Sequence, residues 1–349
     1  MIVLKISPPL AYYNNYKYNR TNTLLNPLEG FSTLLNLLKS AVFAIFRYLI
    51  IIVVLITAFY IYSDQLIRDP NVGKVTSYTV YRFNSDINIQ SPNAILINNE
   101  NSEVVFSKES DAIVYPASLT KMLTCIVAIE NLDDLEKTFT ITSGIWDIIY
   151  TQDASHAGFQ ANEKVKYIDL LYGLMLESGA DCSIGLAQAV AGSERAFADL
   201  MNAKAAEIGM SSSHFVNSTG LHHDNQYSTV SDLSKLLQYA IKNELFVQLV
   251  TTPVHVSSPT NIHPEGLKLE SHLLAGASNR NMGGIVFRGG KTGFTEEANY
   301  CLASFADKYE DTFILVTCGA PEDPNNKRNM IYLSDAFLVY NAIYTIQID

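Results

Sequence analysis

Tyr115-Pro116-Ala117-Ser118-Leu119-Thr120-Lys121-Met122 closes a strand-rich region and opens an apolar, helix-periodic run that continues through Ile129. Pro116 suits the approach to a helix start, where its missing N–H would find no intrahelical acceptor in any case. Ser118 and Lys121 are three residues apart, so a helix sets them on one face, one turn apart. That spacing fits a serine nucleophile whose proton is taken by an amine instead of an imidazole. Taken alone, Ser-x-x-Lys is a common helix start and decides little.

Two later stretches give it weight. Leu176-Glu177-Ser178-Gly179-Ala180-Asp181 supplies a Ser-Gly-x turn, and Gly289-Gly290-Lys291-Thr292-Gly293-Phe294 supplies Lys-Thr-Gly on a strand-like run. In this order the three resemble the motif set of the active-site serine penicillin-recognising enzymes. The flanks 115–122, 169–181, 220–232 and 290–304 resemble the low-molecular-mass D-alanyl-D-alanine carboxypeptidases in particular. The resemblance runs from about Ser77 to the end of the chain. It implies an α/β (α+β) fold of the β-lactamase/transpeptidase kind: an antiparallel sheet flanked by helices. A helical subdomain is inserted at about 139–243, with the site between the two.

The resemblance also assigns roles. Ser118 is the acyl-accepting nucleophile, and Lys121 is its base, which must be neutral to serve. Burial and a neighbouring cation both lower an amine's pKa, and Lys291 is that cation if its strand abuts the nucleophile helix. Ser178 passes the proton to the leaving amine. Lys291, Thr292, Gly293 and Phe294 form the substrate-binding strand, along which a peptide adds as a further strand. Gly293 leaves room for close backbone approach, and the N–H groups of Ser118 and Phe294 form the oxyanion hole. Ala180 stands where the family usually carries Asn, which removes one hydrogen-bonding amide; the Asp181 side chain is expected to point elsewhere. The implied substrate is the peptidoglycan stem peptide, cleaved at its terminal D-alanine, and β-lactams are the implied covalent inhibitors.

Other chemistries find little support. The net charge of −11 argues against a nucleic-acid partner, and no phosphate-cradling glycine loop or dinucleotide fingerprint occurs. No His-Glu-x-x-His occurs and the histidines lack metal-ligand spacing, so no metal or cofactor is expected. His222 and His223 read as a surface loop. The four cysteines sit in apolar runs and read as buried small hydrophobes, with no disulfide assignable. Two alternatives stay open. A β-lactamase of this fold, in its class A form, deacylates through a downstream Glu, yet 208–243 contains none. A non-catalytic penicillin-binding or sensor module is favoured only by Ala180.

Residues 1–40 read as a cytoplasmic tail, 41–62 as a transmembrane anchor, 63–76 as a linker and 77–349 as the enzymatic domain. The 41–62 run is apolar except Arg47 and Thr57, about the length of one bilayer crossing. Lys5, Lys17, Arg20, Lys39 and Arg47 precede or begin it, against Glu29 alone. The positive-inside bias therefore puts the N-terminus in the cytoplasm and the domain outside a bacterial cell membrane. Bulky Phe59-Tyr60-Ile61-Tyr62 argues against signal cleavage. The chain stops at Asp349 just past a closing helix. The second β-rich domain and C-terminal amphipathic helix typical of the resembled enzymes are therefore not expected.

Strands are expected at 77–83, 94–98, 103–107, 138–142, 285–292, 299–306 and 312–318, and possible at 247–257 with Pro253 confining it to an edge. Helices are expected at 118–131, 167–176, 181–190, 194–208, 233–242 and 328–344. Residues 145–163 read as irregular and 259–284 as loop. Thr229-Val230-Ser231-Asp232 has capping-box spacing.

Overall fold

The computed structural model describes residues 27–68, 78–278, 283–324 and 330–348. The chain divides into two units, Met1–Ser77 with Asp349 and Tyr78–Ile348, and each is described by itself.

The first unit holds one helix, α1 (Pro27–Arg68). Within it Leu38–Tyr60 is long and apolar enough to cross a membrane. At the α-helical rise its 23 residues reach about 35 Å, more than the ~30 Å hydrocarbon core. Large apolar side chains such as Phe43, Ile50 and Leu55 stand exposed around it. The helix extends beyond both expected limits. It starts at Pro27 inside the supposed tail, a first helical position that suits proline, and runs to Arg68 inside the supposed linker, with no proline in the interior of either flank. Residues 1–26 and 69–77 lie outside the described residues.

In the second unit, three strands come first: β1 (Tyr78–Phe83), β2 (Asn93–Asn98) and β3 (Val104–Lys108). A 3-10 turn at Ala117–Leu119 then leads directly into α2 (Thr120–Asn131). The helical lobe follows, with β4 (Thr138–Thr140), α3 (Ser143–Thr151), β5 (Lys164–Lys166), α4 (Tyr167–Leu176), α5 (Ala180–Ala191), α6 (Glu194–Ile208), α7 (Val230–Ala240) and α8 (Glu244–Thr251). A hairpin of β6 (Val254–Val256) and β7 (Lys268–Glu270) and the short α9 (His272–Ala277) lead back to the sheet. Its last strands are β8 (Ile285–Thr295), β9 (Asn299–Lys308) and β10 (Asp311–Ala320), closed by α10 (Ile331–Asn341) and β11 (Ile343–Ile348).

The main sheet is antiparallel with order β3-β2-β10-β9-β8. Its central strands are buried on both faces, so they read as near-continuous apolar runs. On β2, Ile95 and Ile97 face the core shared with the helical lobe, while Ala94 and Leu96 face a second core with α9 and α10. On β10 the same alternation sends Ile314 and Val316 one way and Phe313 and Leu315 the other. β8 lies at the free edge, which leaves one side of Lys291–Phe294 unpaired within the sheet.

Several expected elements differ. Residues 143–151 are helical because Ile145, Trp146 and Ile149 share a buried face and the Trp146 indole N–H reaches the Phe159 carbonyl at 3.0 Å. Residues 244–251 are helical, not strand. Asn243 caps the Phe246 N–H at 3.1 Å, and Phe246, Leu249 and Val250 form the buried stripe. Residues 268–277 are a strand and a helix where a loop was expected; Ser271 caps α9 through the Leu274 N–H. The closing helix ends at Asn341. Tyr344 lies on β11, drawn into an antiparallel pair with β1.

Candidate active site

The Ser118 turn, the Ser178 turn and β8 converge on one cleft of about 830 Å³, into which Ser118, Lys121, Ser178, Thr292, Gly293 and Phe294 all open. Lys121 donates from Nζ to Ser118 Oγ at 3.1 Å and to the Thr219 carbonyl at 2.5 Å. Lys291 donates to Ser178 Oγ at 3.0 Å and to the Thr292 carbonyl at 2.9 Å. Each lysine is 2 % exposed and, among the described residues, meets neutral oxygens only.

Burial explains the electrostatics. Desolvation pushes Lys121 down to about 7, opposed by the charges of Asp181 and Glu194. Desolvation also pushes Lys291 well below the usual lysine range, and the neighbouring Lys121 pushes it the same way. An amine near neutrality at physiological pH is what a proton acceptor for a serine hydroxyl requires.

Local backbone geometry fixes Ser118. Ser118 sits in the 3-10 turn, and Lys121 lies in the first turn of α2. Ala117 holds a left-handed φ of +47°, and Ser178 a φ of +59°, two non-glycine outliers flanking one cleft. Gly293 passes under the turn so closely that a Cβ would lie 2.9 Å from the Ser118 nitrogen. The backbone that requires a glycine there is therefore the protein's own nucleophile turn. Gly220, at φ +83°, passes the Ala117 carbonyl just as tightly.

Sequence reasoning missed the groups that hold Lys121. The Thr219 carbonyl is presented by a buried polar knot in which Thr124 and Ser183 both donate to the Ser218 carbonyl at 2.7 Å. Ser218 Oγ in turn donates to Glu194 at 2.7 Å. The signal was a run of small polar and turn-forming residues, Asn217-Ser218-Thr219-Gly220, which local periodicity does not distinguish from a surface turn. His222 is not a plain surface residue. It lines the cleft mouth, with its ring edge-on to Tyr115 at 4.7 Å between centroids and its nitrogen 3.8 Å from Glu297. His223 is exposed; its ring accepts the Asn225 N–H at 3.0 Å and its carbonyl the Gln226 N–H at 2.8 Å. Phe294 is half exposed and starts an aromatic row, stacking on Tyr300 at 4.5 Å, which stacks on Tyr332 at 5.5 Å. All four cysteines are free and buried. No group of three or more metal-ligating side chains occurs among the described residues.

Comparison with known proteins agrees with this geometry. A family model described as D-alanyl-D-alanine carboxypeptidase matches residues 80–322. The D-alanyl-D-alanine carboxypeptidase DacF of Bacillus subtilis (strain 168) is 28% identical over 247 residues, 69% of this chain and 61% of that protein. DacC of Escherichia coli (strain K12), also a D-alanyl-D-alanine carboxypeptidase, is 30% identical over 66% of this chain and 56% of its own length. The chain thus spans rather less than two thirds of these two relatives. The crystal structure of the Streptomyces K15 DD-transpeptidase superposes with a TM-score of 0.66 at 26% identity, covering 74% of this chain and 98% of that one.

Proposed function

We propose, from the premise that this chain belongs to the D-alanyl-D-alanine carboxypeptidase family, that it is a membrane-anchored serine peptidase. It removes the terminal D-alanine of peptidoglycan pentapeptides through an acyl-enzyme on Ser118. The single observation that carries the reading is the pair of contacts Lys121–Ser118 at 3.1 Å and Lys291–Ser178 at 3.0 Å inside one cleft. Two buried amines and two hydroxyls so arranged form a proton path beside a nucleophile.

The steps follow from the atoms. The stem peptide adds along the free edge of β8, its terminal carboxylate near Lys291 and Thr292. Neutral Lys121 takes the Ser118 proton as Oγ attacks the penultimate carbonyl carbon, and the N–H groups of Ser118 and Phe294 receive the oxyanion. The C–N bond breaks as Ser178, backed by Lys291, delivers its proton to the departing D-alanine nitrogen; the proton that Lys121 took from Ser118 replaces it on Ser178, so Lys121 is neutral again. Water then attacks the ester with its proton taken by the same base, releasing the shortened peptide and restoring Ser118. A β-lactam enters by the same attack and remains as a long-lived ester. The apolar length of Leu38–Tyr60 supports an uncleaved single-pass anchor. Lys39 and Arg47 on its N-terminal half favour a cytoplasmic N-terminus and an extracytoplasmic catalytic unit. Ser118→Ala is expected to remove both covalent labelling by a fluorescent penicillin and D-alanine release from a muramyl pentapeptide, by more than about a thousandfold. Labelling retained in that variant refutes the reading, and rapid penicillin turnover by the unaltered chain favours a β-lactamase.

A further inference from the structure

We infer that Asp181 is a positioning residue whose buried carboxylate locks the loop 152–159 onto the Ser178-Gly179-Ala180 turn and so keeps Ser178 within reach of Lys291. The kinetic consequence rests on the function proposed above, whereas the clamp is a matter of geometry. Asp181 is 0 % exposed in the first turn of α5. Its Oδ1 accepts the Ala157 N–H at 2.9 Å and the Cys182 N–H at 3.0 Å, and its Oδ2 accepts those of Gly158 and Phe159 at 3.1 Å each. Three consecutive loop amides therefore end on one carboxylate.

The loop grips the turn from its other side as well. Ser155 Oγ donates to the Ser178 carbonyl at 2.8 Å, and the Ser155 carbonyl accepts the Ala180 N–H at 2.8 Å. Between these clasps Gly179 is so enclosed that a Cβ would lie 2.5 Å from Asp181 Oδ1 and 2.9 Å from the Ala157 nitrogen. Ser178 is thereby held at φ +59°, a conformation that serine adopts only under such constraint. Gln152 and Ser155 of the same loop line the cleft, so the clamp also fixes one of its walls.

The carboxylate has a second effect. Burial raises its own pKa, while the four N–H donors lower it and favour the anion. That charge faces Lys121 on α2 and is the largest influence opposing the lysine's desolvation; Cys182 on α5 and Glu194 on α6 act in the same direction. Lys291 on β8 is the other amine against Lys121, its own pKa pushed well below the usual lysine range by burial and by Lys121, and Asp169 on α4 faces the Cys182 side of the cluster.

Asp181→Asn in the full-length chain tests the inference. The amide keeps the volume but turns one acceptor oxygen into a donor, so both sets of loop N–H groups can no longer be satisfied. Hydrogen exchange at the amides of 157–159 is expected to accelerate by about tenfold or more. Acylation by a penicillin is expected to fall about 10- to 100-fold, with reversible affinity little changed. The acid limb of the acylation profile is expected to move to lower pH, because the anion that favoured protonated Lys121 has gone. Unchanged exchange at these amides overturns the inference, as does faster exchange with an unaltered rate and acid limb. If this variant does not fold, Ser155→Ala decides. It removes the clasp on the Ser178 carbonyl from an exposed position, and acylation is expected to fall about three- to tenfold; an unchanged rate overturns the inference. Failure of the function proposed above shows instead as labelling that persists in Ser118→Ala, whatever the exchange at 157–159.

Discussion

The nucleophile turn and β8 each bring one buried lysine to the cleft, and the two lysines differ in their surroundings. Lys121 has the carboxylates of Asp181 and Glu194 nearby, whose charges pull its pKa upward against burial and leave it at about 7. Lys291 has no such support: burial and Lys121 both push it down. The first amine is therefore poised to change protonation near neutrality and sits on Ser118. The second is drawn to Ser178 and the Thr292 carbonyl and serves as the hydroxyl's partner. One kind of side chain thus takes two roles, set by the carboxylates around it.

The largest effect that sharpens this contrast comes from arginine at each position. Lys121→Arg cannot be deprotonated, so acylation is expected to fall by more than about a thousandfold while the cation is kept. Lys291→Arg fixes a permanent positive charge beside Ser178 where burial and Lys121 disfavour one, and its acylation rate is expected to fall about 10- to 100-fold. Equal losses in penicillin-labelling kinetics would erase the distinction between base and partner.

The pH profile comes next. The reactive form has neutral Lys121, so the rate should rise with pH through an apparent pKa of about 7 and level off above it. Two units below that value the rate should be down about a hundredfold, measured as acylation rate against pH in the unaltered chain. An acid limb near the ordinary lysine value would break the argument from burial.

Gly293→Ala acts on the boundary between the two regions. Its Cβ would meet the Ser118 nitrogen at 2.9 Å and the Ala117 Cβ at 3.1 Å, so turn or strand must shift. Acylation is expected to fall about tenfold or more, and thermal stability by about 1–3 kcal/mol. Calorimetry and labelling rates check the two together.

The smallest effect is expected from Ala180→Asn. Ala180 is 1 % exposed and borders the cleft between Ser178 and Asp181. An amide at this position should raise the acylation rate by a few-fold, through one added hydrogen bond to Lys121 or the substrate carbonyl. A rate that does not move would show that the missing amide leaves no positioning deficit.

Some of this could be read from the chain without coordinates. The alternation of Leu302, Ala303, Phe305 and Ala306 marked β9, and the Thr229–Asp232 capping box marked the start of α7, where Thr229 accepts the Asp232 N–H at 3.0 Å. Ser118, Lys121, Ser178 and Lys291 were legible because three motifs occur in order, each with its own local geometry. Elements with weak or mixed periodicity were not. Residues 244–251 carry a β-branched, apolar run compatible with either period, and the Asn243 cap tipped it to a helix.

Sequence alone determined the residue types to which the proposed chemistry is assigned, the Ser-x-x-Lys spacing, and an apolar segment long enough for a bilayer. Tertiary structure decided how those residues act. The Lys121–Thr219 contact joins residues 98 apart in the chain, and Lys291–Ser178 joins residues 113 apart. Hydrophobic periodicity and capping are local, reaching only a few residues along the backbone. Desolvation of the two lysines depends on segments that meet only when the lobe closes on the sheet, and the left-handed Ser178 and the Asp181 clasp depend on a loop and a turn 22–24 residues apart within the lobe.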